Sequence, residues 1–363
     1  MSDPNHTTAI LRLFQIRGNL AGVEPCGNGH INDTFCAVFY DAGLPVRYIL
    51  QRINSDIFKD PVALMQNIER VTSHLAAKVA AEPDGARRSL TLVPAHDGRV
   101  WHVDAEGRFW RVYHSIENAR SYDAPESTEQ AFQAARAFGR FQQMLADLPA
   151  PRLYDTIPDF HHTPKRFLAL ERAIAADAAG RAADARPEIE FALVRKSIAN
   201  VLLDAGLPER VTHNDTKINN VMLDNSTGEG VCVIDLDTVM PGLALYDFGD
   251  MVRTSTCRAA EDERDLSRVN LEFPFFEALV RGYLASAGAF LTPAEKQHLA
   301  FAGKLITFEQ GIRFLTDFLA GDTYYKVHRP GQNLDRTRTQ FKLIQSIEMQ
   351  EEAMNRLVES IQP

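Results

Sequence analysis

Val211–Arg253 reads VTHNDTKINNVMLDNSTGEGVCVIDLDTVMPGLALYDFGDMVR, and no other segment of the chain concentrates so much chemistry. His213, Asp215 and Asn220 form an HxDxxxxN pattern on a loop that runs into an apolar triplet, Val221–Leu223. Asp224–Gly230 is dense in turn formers, and a second apolar run, Val231–Ile234, delivers Asp235. Two short strands around such a turn predict a β-hairpin that sets Asn220 and Asp235 face to face. Oxygen-bearing side chains held in this way suit phosphoryl transfer, where protein supplies position and charge neutralisation rather than covalent chemistry. Asp215 is the candidate base, because a carboxylate beside an acceptor hydroxyl can orient it and take its proton. Asn220 and Asp235 are candidate ligands for Mg²⁺, a hard cation that takes oxygen donors and keeps places for phosphate and water. Asp237 either joins that shell or remains a turn-bonding carboxylate. For each of these residues the ordinary alternative is a turn former beside a strand. His213 is expected to brace the loop rather than to carry a proton.

Asp247-Phe248-Gly249 spells the DFG of protein kinases, but no hydrophobic strand precedes it, whereas one precedes Asp235. Asp247 therefore reads as a structural group at a helix start, accepting hydrogen bonds from the catalytic loop. No APE-like sequence follows, which argues against a protein kinase.

Upstream of this stretch the pattern is β-rich with one helix. Thr34–Tyr40 and Arg47–Ile53 alternate as antiparallel strands around turn residues Asp41–Pro45. Pro61 opens a helix to about Lys78, with Val62, Met65, Ile68, Val71 and Leu75 at helical spacing. Leu90–Val93, Arg99–His102 and Phe109–Tyr113 are further strand candidates, and the polar stretch His114–Asp123 marks a boundary between lobes. Beyond it the chain turns helical: Pro125–Leu148, Pro164–Ala176, Pro187–Leu203, Glu272–Ala287, Pro293–Leu319 and Thr337–Ile361. Several of these open near a proline, which a first helical turn tolerates. The fold class expected is α+β and two-lobed, with residues 1–115 as a small sheet lobe and 116–363 as a mainly helical lobe.

The 363 residues carry a formal net charge of −9, with 45% hydrophobic and 24% charged side chains. That balance supports a packed core and argues against a sequence-independent nucleic-acid binder, which needs clustered Lys and Arg. No run approaches the roughly 18 apolar residues that cross a bilayer, and the first residues lack the apolar core of a signal peptide. Cys26, Cys36, Cys232 and Cys257 show no paired spacing and read as reduced thiols in a cytoplasmic protein. His161-His162 lacks an HExxH pattern, which leaves a metallohydrolase without support.

HxDxxxxN, a hydrophobic strand ending in Ile-Asp and a later Asp at a helix resemble the aminoglycoside phosphotransferase and choline kinase superfamily. More narrowly, GNGHINDTF (Gly27–Phe35), YILQRIN (Tyr48–Asn54), HNDTKINNVMLD, VIDLDTVMPG, YDFGD and RFLTDFLAGDTYYKV (Arg313–Val327) resemble N-acetylhexosamine 1-kinases. The resemblance implies a protein-kinase-like fold, ATP with Mg²⁺, and transfer of the γ-phosphoryl group to the anomeric hydroxyl of an N-acetylated hexosamine. Gly27, Asn28 and Gly29 then form a loop whose amides approach phosphate oxygens. Kinases place a cation on a following strand; here Gln51-Arg52 stands where Lys is usual, so Arg52 is the expected phosphate cation, with Glu69 as its helix partner. The backbone around His114 and Ile116 is expected to meet adenine. Arg313 and Tyr324 carry over as sugar contacts, joined by Asp317 and by His30 in the glycine loop. The alternatives for these are a helix-surface charge and a core tyrosine. Partners expected are a small-molecule sugar or alcohol, with a monomer or small homo-oligomer, and neither nucleic acid nor membrane. Two rival functions are a kinase for another small alcohol (an aminoglycoside, choline or an amino alcohol) and a catalytically silent kinase-like binding protein.

Overall fold

The computed structural model describes residues 4–27 and 31–361. Period-two alternation builds its first sheet. After a short helix α1 (Pro4–Leu11) come β1 (Asn19–Pro25), β2 (Asp33–Asp41) and β3 (Leu44–Arg52), then helix α2 (Pro61–Val79), β4 (His102–Val103) and β5 (Phe109–His114). The five strands are antiparallel in the order β1-β2-β3-β5-β4. Phe35, Ala37, Phe39, Tyr48, Leu50, Trp110 and Val112 form one buried face under Ile10, Leu11 and Phe14. Ile49, Gln51, Arg111 and Tyr113 occupy the alternate positions and therefore the opposite face.

That second face meets α2. Asp60 caps the helix by accepting from Ala63 N at 3.0 Å, and Pro61 occupies the first turn. Leu64, Met65, Ile68, Val71 and Leu75 make a buried stripe against Phe141, Leu145, Cys232, Leu236 and Val239. One apolar core thus joins the sheet to the hairpin that follows.

The remainder is mostly helical. It contains β6 (Ala119–Arg120), α3 (Thr128–Leu145), α4 (Thr163–Ala176), α5 (Arg186–Leu193), α6 (Val201–Asp204), β7 (Arg210–Thr212), β8 (Val221–Asp224), β9 (Gly230–Val233) and β10 (Met240–Gly242). Helices α7 (Ala244–Ser255), α8 (Phe273–Ala287), α9 (Pro293–Gln297), α10 (Leu299–Ala320) and α11 (Gln332–Ser360) complete it. Strands β6, β8 and β9 form one small sheet, and β7 pairs with β10. Among the described residues no helix is long and apolar enough to cross a membrane.

Four local expectations change. Leu90–Val93 contributes only an isolated bridge, Leu92 to Tyr113, because Pro94 has no N–H for a ladder and its carbonyl accepts from Gln15 N at 2.8 Å. The helix expected over Pro187–Leu203 breaks at a 3₁₀ turn, Lys196–Asn200. The one expected over Pro293–Leu319 divides at His298, after a capping box between Thr292 and Glu295. Cys26 and Cys36 are joined in a disulfide rather than standing as free thiols. The pairing follows from β1, which the sequence reading did not anticipate: β1 runs antiparallel to β2, and Cys26 N donates to Thr34 O at 3.0 Å, so the two cysteines meet across the hairpin.

Helix α7 packs unusually close to α10. A Cβ on Gly249 would lie 2.5 Å from Ala302 O and 2.6 Å from Ile306 Cγ1. Gly249→Ala should therefore destabilise the fold by about 1–3 kcal/mol through overpacking, read as a lower urea midpoint at unchanged m-value. An unchanged midpoint would show that the two helices can part freely.

Candidate active site

A single buried carboxylate shapes the loop between β7 and β8. Asp247, in the first turn of α7, accepts from His213 N at 2.9 Å, Asn214 N at 2.7 Å and Gln142 Nε2 at 2.6 Å. Its own carbonyl takes Thr216 Oγ1 at 2.6 Å. Asn214 adopts left-handed φ of 66°, a conformation Asn tolerates better than most residues. His213 lies edge-on to Phe138 and Phe141. Its Nε2 faces Ile234 O at 2.9 Å and its Nδ1 faces Asp215 N at 3.3 Å, so the hydrogen must sit on Nε2. The ring fastens the loop to β9.

Asp215 emerges from this brace with its side chain 28% exposed. Asn220 Nδ2 donates to Asp215 O at 2.8 Å and to Oδ2 at 3.1 Å, while Lys217 Nζ lies 3.1 Å from Oδ1. Burial would raise the Asp215 pKa, but the charge of Lys217 and its hydrogen bond outweigh it and hold the carboxyl below its ordinary value. Asn220 is turned so that its amide nitrogen is committed to Asp215, and Ile234 N donates to its backbone carbonyl at 2.9 Å. This bond aligns the hairpin and carries Asp235 alongside, in left-handed φ of 58°. Burial, then the neighbouring carboxylates Asp237 and Asp215, push Asp235 up to about 6. Among the described residues no cation pairs directly with Asp235, and the oxygens of Asp235 and Asn220 are the donor type that Mg²⁺ takes.

Asp237 does not share that situation. Arg111 Nη1 donates to its Oδ1, and Asn32 Nδ2 donates to its Oδ2 at 2.5 Å. Arg111, 1% exposed, also holds Gln51 Oε1 at 2.9 Å and 2.8 Å. The cation facing the hairpin is thus Arg111 of β5, not Arg52. Arg52 has the strand parity of Tyr48 and Leu50, which puts it on the opposite face of the sheet, where it pairs with Asp33. Glu69 is exposed on α2 and takes no part. Asn67, on the buried side of the helix, instead donates to Tyr154 O at 2.8 Å and Val239 O at 3.2 Å.

Gly27 follows the disulfide in left-handed φ of 81°; Asn28, Gly29 and His30 lie outside the described residues. At the end of β5, the amides of His114 and Ser115 already donate to Thr91 O and Arg47 O, both at 3.0 Å. Ile116 packs against the core shared with α2.

On α10, Arg313 stacks over Phe160 with Cζ 5.3 Å from the ring centroid, and Tyr324 is exposed. Asp317 is a different case. It is 4% exposed and accepts from the amides of Thr323 and Tyr324 at 2.8 Å and of Tyr325 at 2.9 Å, with Asn333 Nδ2 at 2.9 Å. Its lone pairs are committed to folding the loop that presents Tyr324, so it is an anchor rather than a sugar contact.

Three further residues were given no role in the site by the sequence. Lys217 was in plain view, two positions after Asp215. Asp250 sits one helical turn after Asp247 on the same face of α7; Arg253 Nε holds its Oδ1 at 2.9 Å, and its buried Oδ2 has no hydrogen-bond partner. His161 bonds Asn214 O through Nε2 at 3.0 Å and Glu309 Oε1 through Nδ1 at 2.8 Å, which ties α10 to the catalytic loop. No local spacing announces that link.

Comparison with known proteins agrees with this geometry. A family model described as "Phosphotransferase enzyme family" matches residues 22–291. Among solved structures, the chain is similar to a microcompartment-associated aminopropanol kinase, at 18% identity and TM-score 0.59 over 97% of this chain and 99% of that one. It is similar to the AMP-bound complex of a spectinomycin phosphotransferase, at 9% identity and TM-score 0.63 over 96% and 99%. A choline kinase from Cryptosporidium parvum Iowa II matches at 13% identity and TM-score 0.55 over 99% of both chains. At these identities the structures establish the fold alone. Matched by the family model over well more than half its length, the chain belongs to the phosphotransferase enzyme family and is a phosphotransferase with an alcohol group as acceptor.

Proposed function

We propose that this enzyme is an ATP-dependent kinase that phosphorylates the anomeric hydroxyl of an N-acetylhexosamine, such as GlcNAc or GalNAc, to the 1-phosphate. The observation that carries the kinase reading is the convergence of Asp215, Asn220 and Asp235, two of them linked directly at 3.1 Å. Residues 1–115 form the nucleotide lobe and 116–363 the catalytic lobe, with ATP between them. The carbonyl of His114 and the amide of Ile116 meet the adenine edge, and the Gly27–Gly29 loop covers the phosphates. Asn220 and Asp235 hold Mg²⁺, which supplies charge neutralisation on the phosphates when bound. Asp215 orients the acceptor hydroxyl and takes its proton as the oxygen attacks phosphorus. Lys217, beside Asp215, keeps that carboxylate ionised at neutral pH and offers positive charge to the phosphoryl group in transit. Asp247 and His213 hold the loop. Arg313 and Tyr324 bind the acceptor.

The second reading is an amino-alcohol acceptor, and the structural likeness to an aminopropanol kinase and to the "Plasmodium vivax ethanolamine kinase" favours it. A pocket for a cationic acceptor needs acidic or aromatic walls. Lys217 and Arg253 are already paired with Asp215 and Asp250, which leaves Arg313, with no carboxylate partner among the described residues, as the charge that favours a neutral acceptor.

A Mg-ATP assay across hexosamines, N-acetylhexosamines, choline, ethanolamine and aminopropanol decides between them, with phosphorus NMR to identify the hydroxyl modified. Turnover of GlcNAc or GalNAc at the anomeric position, abolished by EDTA and restored by Mg²⁺, is expected. Inert N-acetylhexosamines beside an active amino alcohol would remove the sugar assignment.

A further inference from the structure

Arg166, which no motif singled out, lies next to Arg313. The two residues come from the adjoining helices α4 and α10 and converge on Phe160. Arg166 donates to Phe160 O from Nε at 3.3 Å and from Nη2 at 3.0 Å, and Arg313 lies over the Phe160 ring. Arg313 also faces Tyr325, 5.8 Å from its ring centroid, and donates to Gln310 Oε1 at 3.3 Å. Both guanidiniums are partly buried. Among the described residues, neither is in an ion pair with a carboxylate.

The acidic groups around them are already engaged. Glu309, one turn before Arg313, has its oxygens on His161 at 2.8 Å and Thr163 at 2.6 Å. Glu261, across from Tyr325, is held by Arg253 at 3.3 Å and Arg336 at 3.6 Å. Burial, and then the neighbouring Arg313, press the Arg166 pKa below its ordinary value, as expected of like charges side by side. Two half-buried guanidiniums with no carboxylate in direct contact, Glu309 acting on both only from a distance, present spare N–H donors and positive potential, but no acceptor. Through Phe160 and its neighbour His161 this pair is connected directly to Asn214, the residue before Asp215.

We infer that Arg166 and Arg313 together form the specificity element of the acceptor pocket: they select acceptors that present an acceptor-only oxygen, an amide carbonyl or a carboxylate, and reject acceptors bearing an ammonium. This rests on the kinase reading above and gives it a substrate class. A carbonyl or carboxylate oxygen takes donors from both guanidiniums, whereas an ammonium placed there adds a third positive charge to the two already present. Arg166 is a binding residue, with no part in proton transfer.

The test compares the parent with Arg166→Met and Arg166→Lys, using GlcNAc, glucosamine, glucuronate and ethanolamine as acceptors. Each is measured by turnover and by calorimetric titration onto the protein–ADP complex, so that a slow acceptor is still scored. For Arg166→Met the KM or Kd of the oxygen-bearing acceptor should rise about 10–100-fold, the loss expected for a hydrogen bond to a charged group. The KM for ATP should not move, the unfolding midpoint should fall only slightly, by the loss of the bonds from Arg166 to Phe160 O, discrimination against the amine should shrink, and Arg166→Lys should recover part of the affinity. Unchanged acceptor affinity in Arg166→Met overturns the inference while leaving the N-acetylhexosamine reading intact. Glucuronate bound and GlcNAc ignored, with the same loss in Arg166→Met, supports the inference and removes the N-acetylhexosamine assignment. A parent enzyme that prefers glucosamine or ethanolamine overturns both.

Discussion

Asp215→Ala is expected to lower kcat by about 10²–10⁴-fold, the usual contribution of a positioned general base, with little change in the KM for ATP or in the unfolding midpoint. The separation of activity from stability follows from the local geometry. The backbone path through residue 215 is held by Asp247 and His213, not by the Asp215 carboxylate. That carboxylate receives only Asn220 Nδ2 and Lys217 Nζ, both at 3.1 Å, on a side chain 28% exposed. Contacts of this kind at a partly exposed site contribute little to folding, so their loss should leave the melting curve nearly in place. Asp215→Asn should lose comparable activity, because an amide keeps the shape but has no useful basicity. An Asp215→Ala enzyme retaining a tenth of the parent turnover would deny this residue its role as base.

Asp247→Ala should behave in the opposite way and destabilise the fold by about 3–5 kcal/mol, because it removes the acceptor shared by three buried donors. Asp247 is wholly buried, and burial raises its pKa even though the His213 and Asn214 amides pull it down. Alanine would orphan those two amides and leave Gln142 Nε2 with only Ala244 O at 3.3 Å, the side chain being held in place by Tyr283 OH, which donates to Gln142 Oε1 at 2.5 Å. Each buried donor left unpaired costs about 1–3 kcal/mol. Activity should fall along with stability, because the loop carrying Asp215 loses its clamp. Asp247→Asn keeps one accepting oxygen and should fall between parent and alanine variant in a urea titration. An Asp247→Ala protein with the parent's midpoint would mean that the clamp is not what holds the loop.

These two substitutions separate chemistry from scaffolding within one stretch, and that stretch was legible because its geometry is local. HxDxxxxN, a turn and an apolar strand ending in Asp235 specify a hairpin within a few residues, and a hairpin's register follows from its own turn. The order of elements, a small sheet and then helices, was legible for the same reason: periods of two and near four are properties of short windows.

What the linear pattern left open was which face each side chain takes and which distant residue it meets. Gln51 and Arg52 are neighbours in the chain, yet one residue of strand phase sends Gln51 to Arg111 and Arg52 to the opposite face. On α2 the helical phase buries Asn67 and exposes Glu69. Arg111 and Asp237 are 126 positions apart, and His161 and Glu309 are 148 apart; neither pair has a spacing to read. Asp317 had the composition of a ligand and became an anchor, because three amides of the following loop fold back onto it. The chain alone therefore determined the hairpin that brings Asn220 and Asp235 together beside Asp215, since short-range periodicity and turn residues suffice for that. The identity of the buried cation, the clamp on the loop and the meeting of Arg166 with Arg313 at Phe160 were decided only by packing, which brings together groups that no local rule relates.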